Sequence, residues 1–86
     1  MSYDQKRLSK HVIWREGTQD ISVFCTEKDR MYRIVGEARF FWLILAQGTP
    51  VGEAITQFAA RSPAQRKAWA KEVEAFLSFL EEEELI

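Results

Sequence analysis

The stretch RMYRIVGEARFFWLILAQGTP, residues 30–50, decides the fold, because it joins a strand to a buried helix through a short break. Arg30 to Val35 is predicted to be a strand, and Gly36 breaks the strand pattern. Glu37 to Gln47 predicts a helix whose acidic residue lies in the first turn, where the helix dipole favours negative charge. This helix is apolar nearly all round, which is typical of a central, buried helix, and Gly48 is suited to end it.

Two strand candidates precede this stretch. Residues 11–15 (HVIWR) have Val12 and Trp14 on one face and Ile13 on the other. Residues 21–26 (ISVFCT) are rich in β-branched and aromatic residues, which favour strands. Polar turns separate the three candidates, so the spacing predicts a three-stranded antiparallel meander.

Two more helices are predicted to follow. Thr49 is suited to cap a second helix that starts at Pro50 and runs to about Arg61. The stretch from Ser62 to Gln65 forms a capping box for a third helix that runs to about Glu83. The expected core stripes are Val51, Ile55, Phe58 and Ala59 in the second helix and Trp69, Val73, Phe76 and Leu80 in the third, flanked by Leu77 and Phe79. We expect the acidic run at 81–84 to fray, because the dipole disfavours negative charge at a helix C-terminus.

The predicted fold class is α+β, winged-helix-like, with a three-stranded antiparallel sheet followed by three helices (β-β-β-α-α-α). The winged-helix comparison rests on the first two helices, which a very short Gly-containing turn joins as in a helix-turn-helix pair. With 86 residues the chain is long enough for one domain. We expect a flexible N-terminal arm over residues 1–9 and a single domain over residues 10–86.

Composition excludes several classes of function. The 12 basic and 13 acidic residues leave a net charge of −1, which provides no general attraction to nucleic acid or to an anionic membrane. The N-terminus has no apolar signal region, and the longest apolar run, Phe40 to Ala46, is far too short to span a bilayer. Cys25 is the single cysteine, so no intramolecular disulfide can form. We therefore expect a soluble, cytoplasmic protein that binds neither nucleic acid nor membranes.

The sequence also lacks the residues of an enzyme. His11 is the single histidine, and no nucleophile motif accompanies it or Cys25, which we interpret as a small core residue. A metal site needs three or four convergent ligands, and the scattered carboxylates have no ligand spacing. The isolated glycines form no phosphate-binding loop. We expect no catalysis, no metal and no cofactor.

The third strand offers a different kind of site. A three-stranded meander has two edges, and an edge strand carries unpaired N–H and C=O groups that can pair with an incoming chain. This mode of binding, β-augmentation, takes affinity from main-chain hydrogen bonds and specificity from side-chain pockets. Phe79 adds apolar surface to the third helix beyond its core stripe, so a wide helix face beside a free edge would form a groove.

From Arg30 onward the chain resembles the PqqD-like family, whose members recognise precursors of ribosomally made and modified peptides. The family pattern is a strand with an aromatic-x-aliphatic step, a short break, an apolar helix, Gly, a Thr-initiated helix and a long third helix that ends in an aliphatic pair. The matching residues are Tyr32-Arg33-Ile34, Gly36-Glu37-Ala38, Phe41 to Leu45, Gly48-Thr49, Val51, Ile55, Phe58, Val73, Phe76, Leu77, Leu80 and Leu85-Ile86. The chain departs from the pattern at Val35, where Asn is frequent, and at Gln47, where an acidic residue is frequent.

The resemblance implies a non-catalytic module that captures the leader segment of a precursor peptide and presents it to a separate modifying enzyme or protease. The leader would add as a strand beside the third strand and pack against the third helix. The implied contacts are Arg30, Met31, Tyr32, Arg33, Ile34 and Val35 on the strand, with Lys71, Glu72, Ala75, Phe76 and Phe79 on the helix. Proline at Ile34 is expected to weaken binding, provided that its N–H faces the peptide.

Several points stay open from sequence. Arg30 and Arg33 would either pair with an acidic leader or serve as ordinary edge charges that deter aggregation. The partner enzyme could be a radical SAM maturase or a leader peptidase, with lasso-peptide biosynthesis among the pathways that fit. The same edge could accept a second copy of the chain, so a homodimer is open too.

Two alternative functions remain beside peptide binding. The first is a winged-helix DNA-binding or transcription-associated protein, for which Arg61, Arg66, Lys67 and Lys71 form a small basic patch. We interpret that patch as a solvated helix face, since fold alone does not carry function. The second alternative is a purely structural subunit of a larger enzyme.

Overall fold

The fold is α+β, as predicted. The computed structural model of the chain describes residues 5–61 and 66–86, without the side chains of residues 61 and 66–71. Along the chain the elements are β1 (Val12–Glu16), β2 (Asp20–Cys25), β3 (Arg30–Val35), α1 (Ala38–Ala46), α2 (Val51–Arg61) and α3 (Arg66–Glu82). The predicted order of three strands and three helices is confirmed. The predicted capping box at Ser62 to Gln65, the side chain of Trp69 and the predicted basic patch lie outside the described residues.

The strands form an antiparallel meander in the order β1-β2-β3. Trp14 of β1 and Tyr32 of β3 both lie opposite Val23 of β2, so these three side chains point to one face. Val23 is fully buried, which identifies that face as the one covered by the helices. The neighbouring residues of each strand therefore point to the outer face of the sheet.

Two turn hydrogen bonds show which backbone groups of β2 face β1 and which face β3. Gly17 N–H donates to Asp20 O at 2.7 Å, and Thr26 N–H donates to His11 O at 3.0 Å, so Asp20 and Thr26 turn these groups towards β1. Successive residues of a strand turn their N–H and C=O groups to opposite sides, so residues 21, 23 and 25 face β3. Their partners 30, 32 and 34 face β2 in return. Residues 31, 33 and 35 of β3 therefore turn their N–H and C=O groups away from the sheet.

The helices bury the inner face of the sheet. Ile21, Val23 and Cys25 are fully buried, which confirms Cys25 as a core residue. α1 is the central helix that its composition predicts, and its buried residues are Phe41, Trp42, Ile44 and Leu45. The remaining core residues of the helices are Val51, Ala54, Phe58, Leu77 and Leu80, with Ile55, Val73, Phe76 and Phe79 partly buried against them. Ala54 is the member of this core that the predicted stripes missed.

Two glycines allow α1 to begin and end within a few residues of its neighbours. Gly36 has φ 68° and Gly48 has φ 90°, both in the left-handed region that L side chains rarely adopt. A Cβ at either position would meet no atom within 4 Å, so the requirement for glycine comes from the backbone alone. The predicted roles of Gly36 as a strand break and Gly48 as a helix end are confirmed.

The two ends of the described chain pack together. Ser9 N–H donates to Leu85 O at 2.9 Å, and the Leu85 side chain is fully buried. Lys6 Nζ lies 3.0 Å from the carboxylate of Glu81. The expectation that the acidic run frays is therefore wrong, because Leu85 anchors the end of the chain in the core and a lysine pairs with the run. The division into an arm and a domain stays a prediction.

Candidate functional site

β3 has a free edge among the residues that the structure describes. It pairs with β2 on one side, and no described strand lies on the other. The backbone alternation turns the N–H and C=O groups of Met31, Arg33 and Val35 towards this open side. Three donors and three acceptors in one line form the template that an added strand requires.

A cluster of aromatic side chains packs on the helix side of β3. The Tyr32 ring, half-buried on the inner face of β3, packs against Phe79 of α3 with centroids 5.2 Å apart and planes at 86°. Phe76 stacks on Phe79 at 6.2 Å and 23°. We call the β3 edge together with Tyr32, Phe76, Phe79 and Glu83 the β3–α3 seam.

Glu83 completes the seam just beyond the last residue of α3. Its Oε1 accepts a hydrogen bond from the Tyr32 hydroxyl and lies 3.4 Å from Nη1 of Arg30. The bond from Tyr32 lowers the pKa of Glu83, although partial burial acts in the opposite direction, and Lys28 and Arg30 lower it further. Burial, followed by the neighbouring Glu83 carboxylate, raises the pKa of Tyr32. A neutral phenol therefore donates to an ionised carboxylate at neutral pH.

Sequence reasoning missed Glu83. The signal that could have found it is its spacing, because Glu83 follows Phe79 by four residues and so lies on the same side of a helical path. From sequence it belongs instead to the acidic run at 81–84 that is expected to fray. Glu82 and Glu84, on either side of Glu83, are exposed, whereas the side chain of Glu83 is only 18% exposed.

The residues predicted to contact a peptide fall into two sets by the face on which they lie. Arg30, Tyr32 and Ile34 lie on the helix side of β3, where Ile34 is a core residue at 4% exposure. Met31, Arg33 and Val35 lie on the outer face and are exposed. Among the predicted helix contacts, Phe76 and Phe79 are in the seam, Glu72 and Ala75 are exposed, and the side chain of Lys71 lies outside the described residues.

Both arginines of β3 already have carboxylate partners. Arg33 Nε lies 2.6 Å from Asp20 Oδ2, and Arg30 pairs with Glu83 as described above. An acidic peptide would have to compete with these two carboxylates. These ion pairs therefore favour the interpretation of Arg30 and Arg33 as ordinary edge charges over pairing with an acidic peptide.

The outer face of the sheet carries an apolar row across all three strands. Ile13, Phe24 and Met31 lie opposite one another, and Ile13 and Met31 are 63% and 71% exposed. A depression of about 390 Å³ is lined by these three residues together with neighbouring residues of β1 and β2, namely Trp14, Arg15, Ser22 and Val23. Met31 belongs to both this row and the β3 edge, so the two surfaces are continuous.

The described part of the chain holds no metal-binding cluster, membrane-spanning helix or basic face on α2. No group of three or more His, Cys, Asp or Glu side chains between residues 5 and 61 or after residue 71 is arranged to hold a metal ion. None of the described helices has the length and apolarity that crossing a bilayer requires. The described exposed polar side chains of α2 are Glu53, Thr56 and Gln57, none of which is basic.

Comparison with known proteins identifies a family and a similar solved structure. The family model described as coenzyme PQQ synthesis protein D (PqqD) matches residues 20–86. A solved structure titled "TbiB1 in Complex with the TbiA(beta) Leader Peptide" superposes with a TM-score of 0.76 and 16% sequence identity over 93% of each chain. At that identity the likeness concerns the fold. A comparison with curated proteins gives no match.

Proposed function

The chain belongs to the PqqD family, and on that premise we propose that it is a non-catalytic module that binds the leader segment of a ribosomally synthesised precursor peptide. The similar fold of TbiB1, which was solved in complex with a leader peptide, supports this proposal. The module performs no chemistry itself. It presents the bound precursor to a separate modifying enzyme, such as a radical SAM maturase or a leader peptidase, in the cytoplasm where precursors are made.

The leader binds by adding a strand to β3. The observation that carries this proposal is the edge of β3 at Met31, Arg33 and Val35, whose outward backbone groups face no described strand and lie next to Tyr32 with its aromatic contact to Phe79. Main-chain hydrogen bonds to these three residues provide affinity that is independent of leader sequence. The seam adds selectivity, because half of the peptide side chains would lie against it.

Side chains of the added strand alternate between two surroundings. Peptide residues opposite Tyr32 and Arg30 turn their side chains to the helix side, towards Phe79 and Glu83. Peptide residues opposite Met31 and Arg33 turn theirs to the outer face. Ile34 lies on the same face as Arg30 and Tyr32, and Val35 lies on the same face as Met31 and Arg33. The Ile34 side chain is buried in the core, so it supports the strand and does not contact the peptide.

The proposal is tested by removing one outward donor. Arg33→Pro deletes an edge N–H that β2 does not use, so the sheet ladder survives while the added strand loses a hydrogen bond. We expect affinity for a fluorescein-labelled peptide, selected on the wild type from a random display library, to fall by about tenfold, as one net hydrogen bond and a misfitting ring imply. Fluorescence anisotropy measures the change.

Arg33→Ala is the matched control, because it loses the same ion pair with Asp20 and keeps the N–H. It should bind within about twofold of the wild type, since an exposed ion pair is worth little. Proline at Ile34 is a poor test, because the N–H of Ile34 faces β2 and its loss would damage the sheet. Equal affinities for Arg33→Pro and Arg33→Ala would exclude strand addition at this edge. Tight duplex DNA binding that weakens steeply with salt would instead favour the DNA-binding alternative.

A further inference from the structure

Glu83 has an acceptor that the described residues leave unused. A carboxylate offers about four acceptor positions on two oxygens. Tyr32 and Arg30 both approach Oε1, and in the described part of the chain Oε2 receives no hydrogen bond. Glu83 therefore holds an available acceptor at the margin of the proposed leader site.

The register of an added strand brings a peptide side chain to this acceptor. Tyr32 turns its backbone groups to β2 and its side chain to α3. A peptide residue opposite Tyr32 points its side chain to the same face, where the Tyr32 ring, Phe79 and Glu83 already meet. The peptide residue opposite Arg30 is the next one to share that face.

The Glu83 carboxylate brings a negative charge to this end of the seam. The Tyr32 bond keeps the pKa of Glu83 low, so the group is ionised at neutral pH. Two cations compensate part of this charge. Arg30 has a side chain that is 65% exposed and an Nη1 that lies 3.4 Å from Oε1, and Lys28 donates its Nζ–H to the carbonyl of Glu82. A second carboxylate placed here would meet Glu83 in a partly desolvated position.

We infer that Glu83 determines the charge preference of the leader site: at the peptide position opposite Tyr32 it selects a hydrogen-bond donor or a cation and disfavours a carboxylate. This inference rests on the proposed function, since it concerns the same site. Of the two interpretations left open for Arg30 and Arg33, it favours ordinary edge charges over pairing with an acidic leader. Glu83 and Phe79 would then both contribute to the selectivity of the site for peptide side chains.

The probe is a display library of random peptides of about ten residues, long enough to pair along the six residues of β3. Selection on the wild type should deplete Asp and Glu at one position of the enriched sequences. Two synthetic peptides are then made from one enriched sequence, with Gln or Glu at that position. Their affinities for the wild type and for Glu83→Gln form a double-mutant cycle.

We expect the wild type to prefer the Gln peptide over the Glu peptide roughly fivefold, the factor that about 1 kcal/mol of repulsion at 4 Å in water implies. Glu83→Gln should lose the preference for the Gln peptide, because its amide oxygen still accepts from Tyr32 while the repelling charge is gone. Glu82→Gln is the matched control: it removes the same charge one residue away, from an exposed side chain, and should keep the fivefold preference. A thermal melt by circular dichroism verifies that each variant is folded.

The outcomes separate the inference from the proposed function. If both variants lose the preference equally, general charge is responsible and Glu83 has no selective role. If no position of the enriched sequences is depleted of Asp and Glu, the cations beside Glu83 offset its charge and the inference is wrong. In both cases strand addition stands, provided that Arg33→Pro still weakens the enriched peptides. If no peptide is enriched, or if Arg33→Pro leaves the enriched peptides unaffected, the proposed function fails and the inference fails with it.

Discussion

At the scale of single residues, Tyr32 joins the two parts of the seam. Its ring packs against Phe79 with centroids 5.2 Å apart, while its hydroxyl donates to Glu83. The tyrosine thus ties the edge strand to the end of α3 through one apolar contact and one polar contact. Each contact involves a residue that lies on the helix side of β3, where half of the peptide side chains are proposed to lie.

Glu83 should make the stability of the fold depend on pH. The hydrogen bond from Tyr32 lowers the pKa of Glu83 below its ordinary value of 4.5. A carboxyl group with a lowered folded pKa stabilises the fold above its unfolded pKa, and this contribution is lost as the pH falls through the folded value. Below pH 4.5 the wild type should therefore lose more free energy of unfolding than Glu83→Gln, as measured by urea denaturation across a pH series. Glu82→Gln should follow the wild type, and parallel curves for the wild type and Glu83→Gln would contradict the assignment.

At the scale of elements, α1 is placed by the glycines on either side of it. Gly36 turns the chain from β3 into the helix, and Gly48 turns it out towards α2. The helix between them buries Phe41, Trp42 and Leu45 completely. Since β3 leads directly into Gly36, this turn also helps to determine how the edge strand lies relative to the helices.

Gly48→Ala should destabilise the fold by about 1 kcal/mol, because the Cβ is unfavourable at φ 90° even though nothing lies within 4 Å of it. Gly48→Asn is the matched control, since asparagine tolerates the left-handed region better despite its larger side chain. Urea denaturation should rank the wild type above Asn and Asn above Ala. If Asn were the more destabilising, crowding rather than backbone conformation would be the cause.

At the scale of the whole molecule, the ends of the described chain close the core from the same side. Leu85 is fully buried, and its carbonyl accepts the N–H of Ser9. Lys28 Nζ donates to Glu82 O at 2.8 Å, so the turn before β3 also holds the end of α3. These contacts position Glu83 next to Tyr32, and the seam therefore depends on how the ends are packed.

Leu85→Ala should lower the free energy of unfolding by about 2–5 kcal/mol, the usual range for truncating a buried leucine. It should also weaken peptide binding, because the segment that carries Glu83 loses its anchor. Glu82→Ala is the control, since its exposed side chain has no described partner and should change stability by less than about 0.5 kcal/mol. Urea denaturation and peptide titration measure the two effects, and a stable Leu85→Ala variant would show that the C-terminal anchor is dispensable.

The local sequence pattern was sufficient to predict the helices and strands and most of the core residues. The alternation in residues 21–25 predicted which side chains of β2 are buried, and the apolar run in residues 40–46 predicted the central helix. The predicted bounds of β3 agree with the structure at both ends. These features depend on the periods of strands and helices, which neighbouring residues in the sequence express directly. The winged-helix comparison and the contact residues for a peptide stay predictions.

The sequence by itself determined the order of elements, the buried faces and the family pattern from Arg30 onward. Only the tertiary structure decided that Met31, Arg33 and Val35 turn their backbone groups outward, because that direction depends on the register with β2. It also decided that Glu83 meets Tyr32, a contact between residues 51 positions apart. Periodicity predicts on which side of its own helix or strand a residue lies. A contact between residues so far apart in sequence depends on how the whole chain folds. For that reason the acidic end, expected to fray, instead forms part of the seam.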